Sequence, residues 1–250
     1  MSSKMWKGLI VVLLMISITQ VAWAQNYKVG ATPTGVPFTF LDTKTNSIQG
    51  VMVDLIKEVA KDQGFTVDIQ GMPFNTLIPS LQTNKIDIIS CALGITPQRA
   101  EVVDFSVPVY MYGEGVVVSD KDAKDYKSYD EFKGEIVGVQ VGTVWQEPLK
   151  KTGIFKEVRA YDSMADAIRD VSLGRIKACF GDYPIVAYQI AQGVHKGVRM
   201  VKGIKPLLTV SIGMAVNKGD KEKLEKINKS LSKLQTNGTM ENILAKWGLK

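Results

Sequence analysis

The stretch NTLIPSLQTNKIDIISCALGITP, residues 75–97, joins a helical pattern, a turn, the isoleucine-led strand IDIIS and a short loop that opens another helix. The stretch SMADAIRDVSLGRIKACFGDYPIV, residues 163–186, follows the same plan at an offset of 90 residues, which pairs Ala92 with Asp182. Weak self-similarity of this kind arises either by coincidence between two αβ units or from a repeated structural unit. If the repeat is structural, it predicts two lobes that each contain this helix, strand and loop.

The segments around these units also alternate between strand and helix patterns. GVMVDLIKEVAKDQG carries an apolar helical face and stops at Gly64, and DSMADAIRDVSLG begins with a capping Asp or Ser and ends at Gly174. The strand candidates are YKVGA, FTVDIQ, IDIISCA, GEGVVVS, EIVGVQ, IKACFG and SIGMAV. Strands that alternate with helices of this length predict an α/β fold with parallel sheet.

Two loops stand where an α/β protein places its ligand. Ligands of such sheets bind outside the carboxyl ends of the strands, and ALGITPQR and GDYPIV each follow a predicted strand. The first loop carries the cation Arg99 and the second carries the anion Asp182.

Residues 1–24 predict a secretory signal peptide that is cleaved after Ala24. MSSKMWK carries two lysines, an apolar run follows, and Ala-Trp-Ala at 22–24 has the small-x-small pattern of a signal peptidase site. A membrane anchor is the alternative, but polar residues within SITQ (17–20) leave too short an apolar run for a span of about 20 residues. We therefore expect a soluble, exported protein.

The charge and the cysteines exclude several classes of function. The formal net charge is only +6, and segments such as KGDKEKLEKINKSLSK interleave bases with acids, so we expect no nucleic-acid partner. Cys91, Cys179 and the single histidine His195 are too few and too scattered for a metal site, and we predict no cofactor. A disulfide is possible, although both cysteines end β-rich runs, where a small buried apolar residue is commoner.

The segments after residue 24 also stand in a familiar order. They are VPFTF, GVMVDLIKEVAK, MPFNTLIPSLQTNKIDIIS, GITPQR, VDFSVPVYMYGEGVVV, FKGEIVGVQVGT, DSMADAIRDVSLGRIKACFGDYPIVAY, IGMAVNKGD and NGTMENILAKWG. In this order and spacing the chain resembles the extracytoplasmic solute-binding proteins of polar amino-acid ABC transporters, the family often called type 3. No single segment is specific, so the resemblance depends on their joint arrangement.

The resemblance implies the periplasmic-binding-protein fold, with two α/β lobes joined by two hinge crossover strands and the ligand in the cleft between them. The first lobe is expected to comprise residues 25–112 and 211–250, and the second residues 113–210, with crossovers near 113–119 and 205–210. The implied function is capture of an amino acid or a similar small molecule and its delivery to an ABC transporter permease. We expect the protein to be a monomer and not an enzyme.

The resemblance also implies roles for individual residues. Arg99 matches the arginine that grips the ligand α-carboxylate, a task suited to a planar and permanently charged guanidinium. Asp182 matches the acid that accepts the α-amino group, although it is also a candidate N-cap for the following helix. Phe74 corresponds to an aromatic that packs over the ligand, or is a core residue. The predicted ligand-binding set is Arg99, Asp182, Phe74, Ala92, Gly94, Cys91, Thr143, Val144, Trp145 and Gln140.

Four positions depart from the family pattern. Thr32 and Gly35 stand where members specific for common amino acids often have an acid and an aromatic, and Gly94 and Val144 stand where hydroxyl residues are frequent. The missing acid argues against a strongly cationic ligand side chain, because a buried cation needs a paired charge. Either Trp145 and Tyr183 fill the space that the missing aromatic leaves, or the ligand is larger.

Two other functions compete with transport. The same fold family includes cyclohexadienyl dehydratases, which need a general acid in the cleft, and Asp182 or Glu147 are the candidates. A sensor lobe is the third possibility, but it usually needs a tethered membrane segment or a fused domain. Nucleophilic catalysis is not supported, because neither cysteine has a histidine in a recognisable arrangement.

Overall fold

The fold was analysed in a computed structural model that describes residues 25–249. The predicted signal peptide, residues 1–24, lies outside the described residues. Between residues 25 and 249, no helix is both long enough and apolar enough to cross a membrane.

The described chain alternates strands with helices, as the sequence patterns predict. The strands are β1 (Asn26–Ala31), β2 (Thr34–Gly35), β3 (Thr39–Asp42), β4 (Ser47–Gln49), β5 (Thr66–Gly71), β6 (Ile88–Ile89), β7 (Val103–Phe105), β8 (Tyr110–Ser119), β9 (Ile136–Gln140), β10 (Glu157–Tyr161), β11 (Ala178–Asp182), β12 (Val198–Met200), β13 (Thr209–Ile212) and β14 (Ala215–Asn217). The helices are α1 (Val51–Gln63), α2 (Leu77–Gln82), α3 (Pro97–Ala100), α4 (Gln146–Lys151), α5 (Met164–Ser172), α6 (Tyr183–Ala191), α7 (Lys221–Thr236) and α8 (Thr239–Lys246).

The helix ends follow the residues that the sequence offers for them. Helix α1 ends at Gly64, whose φ of 72° is left-handed and suits glycine. Helix α5 begins after Ser163, whose hydroxyl accepts a hydrogen bond from the backbone N–H of Asp166. Both predicted helices are confirmed, and the capping residue of the second is the serine.

Two sheets form the centres of the two lobes, and they share one topology. The first has the strand order β5-β1-β6-β14-β7 and the second β10-β9-β11-β8-β12. In each, the first three strands are parallel and the last two pair antiparallel, with β6 and β11 at the same position. The internal repeat is therefore a repeat of structure, and the two-lobe α/β fold is confirmed.

The two lobes are connected through β8 and β13. Residues 110–113 of β8 pair antiparallel with β13, whereas residues 114–119 belong to the second sheet, where they pair with β11 and β12. The crossing thus lies earlier on β8 than the expected 113–119 and extends to Ile212, because pairing inside the second sheet occupies the rest of β8. The proposed lobe boundaries, between 112 and 113 and between 210 and 211, fall within this crossing pair.

The core of each lobe explains why its strands form. The neighbours Ile88 and Ile89 in β6 are fully buried, as are Cys179 and Phe180 in β11. Because neighbouring residues of a strand point to opposite faces, these central strands are buried on both faces. Cys91 and Cys179 are also fully buried and both are free. They serve as small core residues and form no disulfide.

Candidate functional site

The cleft between the lobes contains a narrow cavity at the carboxyl ends of equivalent strands. Residues that follow β1 and β6 form one wall, and residues at the ends of β9 and β11 form the other. Its volume of about 30 Å³ shows that the lobes lie close together. The cavity is lined by Thr32, Thr34, Gly35, Thr39, Phe74, Ala92, Gln140, Thr143, Met164, Asp182 and Ile185.

Arg99 projects from the short helix α3 into the space between the lobes. Thr96 caps this helix by accepting a hydrogen bond from the Arg99 backbone N–H at 3.2 Å. The guanidinium donates from Nη1 to the Gly94 carbonyl at 2.7 Å and from Nη2 to the Gly142 carbonyl, in the other lobe, at 2.8 Å. Its carbon lies 5.6 Å from the centre of the Phe74 ring. Arg99 is half-buried, so it is not an exposed helix charge.

Asp182 stands at the end of β11, on the opposite wall of the cavity. It occupies the N-cap position of α6, but its side chain makes no capping hydrogen bond. The carboxylate instead accepts the indole N–H of Trp145 at 2.6 Å and the hydroxyl of Tyr112. Burial raises the pKa of Asp182 to about 6, although these two donors and the distant charge of Arg99 oppose that rise.

Gly94 lies against the crossing strand β13 and the second lobe. A Cβ at this position would stand 2.8 Å from Val210 Cγ2 and 3.0 Å from Val144 Cγ1 of the second lobe. Both distances are too short for a side chain to be accepted without movement. The departures from the family pattern at Gly94 and Val144 therefore compensate each other: the larger residue at 144 occupies the space that glycine leaves.

The other predicted site residues have more varied positions. Phe74, Ala92, Thr143 and Gln140 line the cavity, and the Thr143 hydroxyl donates to the Gln140 carbonyl at 2.8 Å. Val144 contacts Gly94 rather than the cavity.

Three candidates lie away from the cavity wall. Cys91 is fully buried in the core of the first lobe, and burial raises the pKa of its thiol to about 12. Trp145 is buried and reaches Asp182 without lining the cavity. Tyr183 is 53% exposed and lies in a groove with Tyr110, so the idea that it refills the cavity is wrong.

Several residues at the cleft were not predicted from the sequence. Met164, Ile185 and Thr39 line the cavity, and Tyr112 bonds Asp182 from the crossing strand β8. Gln189 donates to the Thr34 carbonyl across the cleft at 3.1 Å, and its own oxygen is bonded to His195 Nε2 at 2.9 Å. Ile185 and Gln189 lie four residues apart on α6, so the inward face of this helix was a usable signal.

The cavity and its border combine one acid with one cation. Asp182 is the one ionisable residue among those that line it, and the Arg99 guanidinium lies 5.6 Å from the ring of Phe74, another lining residue. Glu147, the second acid considered for catalysis, is exposed and paired with Lys150 at 3.3 Å, so it is not in the cavity. The two walls thus offer one positive and one negative group.

Comparison with known proteins agrees with this arrangement. The chain is 30% identical over 243 residues to ABC transporter arginine-binding protein 1 of Escherichia coli strain K12. The aligned region covers 96% of this chain and 98% of that protein. A solved structure of an ancestral arginine-binding protein bound to arginine matches with a TM-score of 0.81 at 33% identity, over 89% of this chain and 98% of that one.

A second solved structure bears on the enzyme alternative. The ancestral amino acid-binding protein AncCDT-1, a precursor of cyclohexadienyl dehydratase, matches with a TM-score of 0.79 at 30% identity, over 89% of this chain and 95% of that one. The family model of the bacterial extracellular solute-binding proteins, family 3, matches residues 27–250. Because this match spans both repeated lobes and the cleft between them, the chain belongs to family 3 of the bacterial extracellular solute-binding proteins.

Proposed function

We propose that this protein captures an α-amino acid as its zwitterion between the two lobes and delivers it to the permease of an ABC importer. One observation carries the proposal: Asp182 lines the cavity from one lobe, and Arg99 lies against the ring of the lining residue Phe74 in the other, as one fixed cation and one partly buried acid. A ligand with a carboxylate at one end and an ammonium at the other satisfies both walls at once.

Arg99 is suited to hold the carboxylate. Its two terminal nitrogens bond the Gly94 and Gly142 carbonyls, which are neutral acceptors. A carboxylate in the same place offers two charged oxygens in the geometry of the guanidinium fork, and such charge-assisted bonds are about twice as strong as neutral ones. The ligand therefore competes well for donors that already point into the cleft.

Asp182 is suited to hold the ammonium group. The Trp145 and Tyr112 donors fix the carboxylate in place, and its position at the end of β11 turns it towards the cavity rather than into α6. A partly buried carboxylate whose partners are neutral gains from a cation, because burial raises the cost of its unpaired charge. Closure over the ligand then pairs both charges in a site that excludes most water.

Capture depends on movement at the crossing strands. With the lobes closed, the cavity of about 30 Å³ is far smaller than the roughly 300–1,000 Å³ of pockets that hold small molecules, so the cleft must open to admit an amino acid. The crossing pair of β8 and β13 is the connection about which this opening occurs. We further propose that the protein acts in the periplasm as a monomer after removal of residues 1–24.

Binding measurements test the proposal directly. Thermal-shift screening of the purified protein against amino acids, opines, betaines and small peptides is expected to give hits among α-amino acids, because binding to the folded state raises the melting temperature. Arg99→Ala is expected to abolish the shift for every hit. Arg169→Ala, which removes an exposed arginine of α5, is the matched control. A hit that keeps full affinity in Arg99→Ala would refute the carboxylate assignment.

A dehydratase is the second candidate function. The observation that favours it is the raised pKa of Asp182, about 6, which suits a proton donor near neutral pH. The similarity to a precursor of cyclohexadienyl dehydratase points the same way. Assays of prephenate and arogenate with the purified protein decide between the two, and appreciable turnover that Asp182→Asn removes would replace the transport proposal.

A further inference from the structure

We infer that the cleft selects an amino acid with a neutral, hydrogen-bonding side chain, and that the Thr39 hydroxyl is the partner of that side chain. The inference rests on the proposed function, since it concerns the part of the same ligand beyond its α-carbon. The part of the cavity that would hold this group, called here the side-chain subsite, consists of Thr32, Gly35, Thr39 and Ile185.

The Thr39 hydroxyl is a buried polar atom in need of a partner. Thr39 is 1% exposed and lines the cavity, and its Oγ1 has no hydrogen-bond partner among the described residues. Burying a hydroxyl without a partner costs stability, and native proteins rarely leave such a group unpaired without a reason. A hydrogen-bonding group on the ligand is the partner that this position can receive from the cavity.

Gly35 keeps the subsite open. It pairs directly with Thr39 between β2 and β3, and a Cβ at this position would stand 3.2 Å from Thr32 Oγ1 and 3.6 Å from Ile185 Cδ1. Any larger side chain at position 35 would therefore extend between Thr32 of the first lobe and Ile185 of the second. Glycine leaves that space to the ligand.

The charges of the cavity disfavour a cationic side chain. Asp182 is the one acid among the lining residues, and in the proposed function it binds the α-ammonium group. The positive charge of a cationic ligand side chain would lie near Thr32, which supplies no negative charge. The Arg99 guanidinium at the cleft would add repulsion between like charges. Burying a cation without a paired anion is costly, so arginine and lysine fit this cleft poorly. A neutral zwitterion matches the one cation and one anion present.

The polar lining also favours a ligand with a hydrogen-bonding side chain over one with an apolar side chain. An apolar side chain of the same shape would fill the subsite but leave the Thr39 hydroxyl unpaired. A site built to bond a hydroxyl or an amide rejects the analogue that lacks it, because its own polar group then stays buried without a partner.

Calorimetric titration of the purified protein with shape-matched pairs tests the inference. The pairs are threonine with valine, asparagine with leucine and glutamine with methionine, together with arginine and lysine. We expect the tightest ligand to be a neutral polar amino acid that binds about tenfold or more tightly than its apolar partner, the size expected for a buried hydrogen bond. Arginine and lysine are expected to bind more weakly than this ligand by at least a similar factor.

Variants at Thr39 attribute the preference to its hydroxyl. Thr39→Val is expected to reduce the preference for the polar member of the pair about tenfold while changing the Kd of the apolar member less than about twofold. Thr39→Ser, which keeps a hydroxyl, is expected to retain the preference. Thr66→Val, on the distant edge strand β5, controls for the threonine-to-valine change.

The outcomes separate this inference from the proposed function. If arginine or lysine binds most tightly and this binding depends on Arg99, the inference is overturned while amino-acid capture stands. The same holds if Thr39→Val leaves the preference for the polar ligand unchanged. If no amino acid binds in a manner that depends on Arg99, the proposed function fails and the inference fails with it. A preferred neutral polar ligand whose preference is lost only in Thr39→Val supports both.

Discussion

The indole N–H of Trp145 donates a hydrogen bond to Oδ1 of Asp182 at 2.6 Å, and Tyr112 donates to the same carboxylate. Trp145 is 1% exposed, so this bond lies in a region closed to water. The bond holds the carboxylate at the cavity without neutralising its charge. Asp182 is therefore positioned by neutral donors, and in the proposed function the ligand ammonium group supplies its countercharge.

Removing the charge of Asp182 is expected to stabilise the protein without ligand. The folded pKa, about 6, lies above the ordinary value of 3.8, so the ionised carboxylate costs stability above pH 6 and the cost fades as the pH falls from about 6 towards 3.8. Asp182→Asn removes a cost of about 3 kcal/mol at pH 8. In urea unfolding, the free energy of unfolding of Asp182→Asn should exceed that of the unsubstituted protein at pH 8 and differ little from it near pH 4. Lower stability of Asp182→Asn at pH 8 would contradict this account.

The affinity for a zwitterion is expected to fall as the pH drops below about 6. The ammonium group pairs with the ionised form of Asp182 and lowers its pKa, so binding near pH 6 releases a proton. Calorimetric titration in two buffers with different ionisation enthalpies measures that proton. Binding at pH 6 with no proton exchange would show that the ammonium group does not pair with Asp182.

A side chain at position 94 is expected to hinder closure of the lobes. Gly94→Ala places its Cβ against Val210 and Val144, and overpacking of this kind costs about 1–3 kcal/mol. Ligand affinity should fall by about tenfold or more in a calorimetric titration.

A smaller side chain at position 144 is expected to restore part of the ligand affinity that Gly94→Ala loses. Val144→Ala combined with Gly94→Ala removes the contact between the lobes but leaves the one with Val210. The double variant should recover part of the affinity, and a double-mutant cycle measures the coupling. Equal losses from Gly94→Ala with and without Val144→Ala would mean that this contact does not limit closure.

The bond from Gln189 to the Thr34 carbonyl is expected to slow ligand release. Gln189→Met keeps most of the volume but removes the donor that crosses the cleft at 3.1 Å. One net hydrogen bond corresponds to about a threefold to tenfold faster release, measured by stopped-flow displacement. Gln192→Met, at an exposed position after α6, is the control. Equal release rates for the two variants would show that the hydrogen bond from Gln189 does not slow ligand release.

Tyr129 is expected to support the crossing region through Glu114. Its hydroxyl donates to Glu114 Oε1, which also accepts the Leu207 backbone N–H at 2.5 Å, and Glu114 is 5% exposed. Tyr129→Phe leaves a buried carboxylate short of a donor, at a cost of about 1–3 kcal/mol in urea unfolding.

Hydrogen exchange adds a local measurement of the same contact. Loss of the Tyr129 hydroxyl should speed exchange of the Leu207 amide, because the carboxylate that it bonds is less well held. Tyr188→Phe, at a half-buried tyrosine of α6, serves as the matched variant. Unchanged stability and unchanged Leu207 exchange in Tyr129→Phe would show that Glu114 is held by other means.

The sequence predicted the alternation of strands and helices, the repeat and the two charged loop residues, because these depend on local patterns. Ile86 and Ile176 begin equivalent strand segments, and Arg99 and Asp182 follow equivalent strands. The sequence did not identify Thr39, Gln189 and Tyr112 as cleft residues, since each acts through a partner that lies far away in the chain. Tyr183 was misplaced for the same reason, because the face on which it lies depends on how α6 packs.

The sequence by itself determined the α/β class, the repeated unit and the presence of one cation and one anion at the ends of matching strands. Those features follow from residue type and spacing, which the chain carries locally. Only the tertiary structure decided that Asp182 faces the cavity instead of capping α6, that Gly94 matches Val144, and that the Thr39 hydroxyl lies buried at the cavity without a partner. These relationships depend on how the two lobes connected by β8 and β13 approach each other, and separation along the chain does not determine that approach.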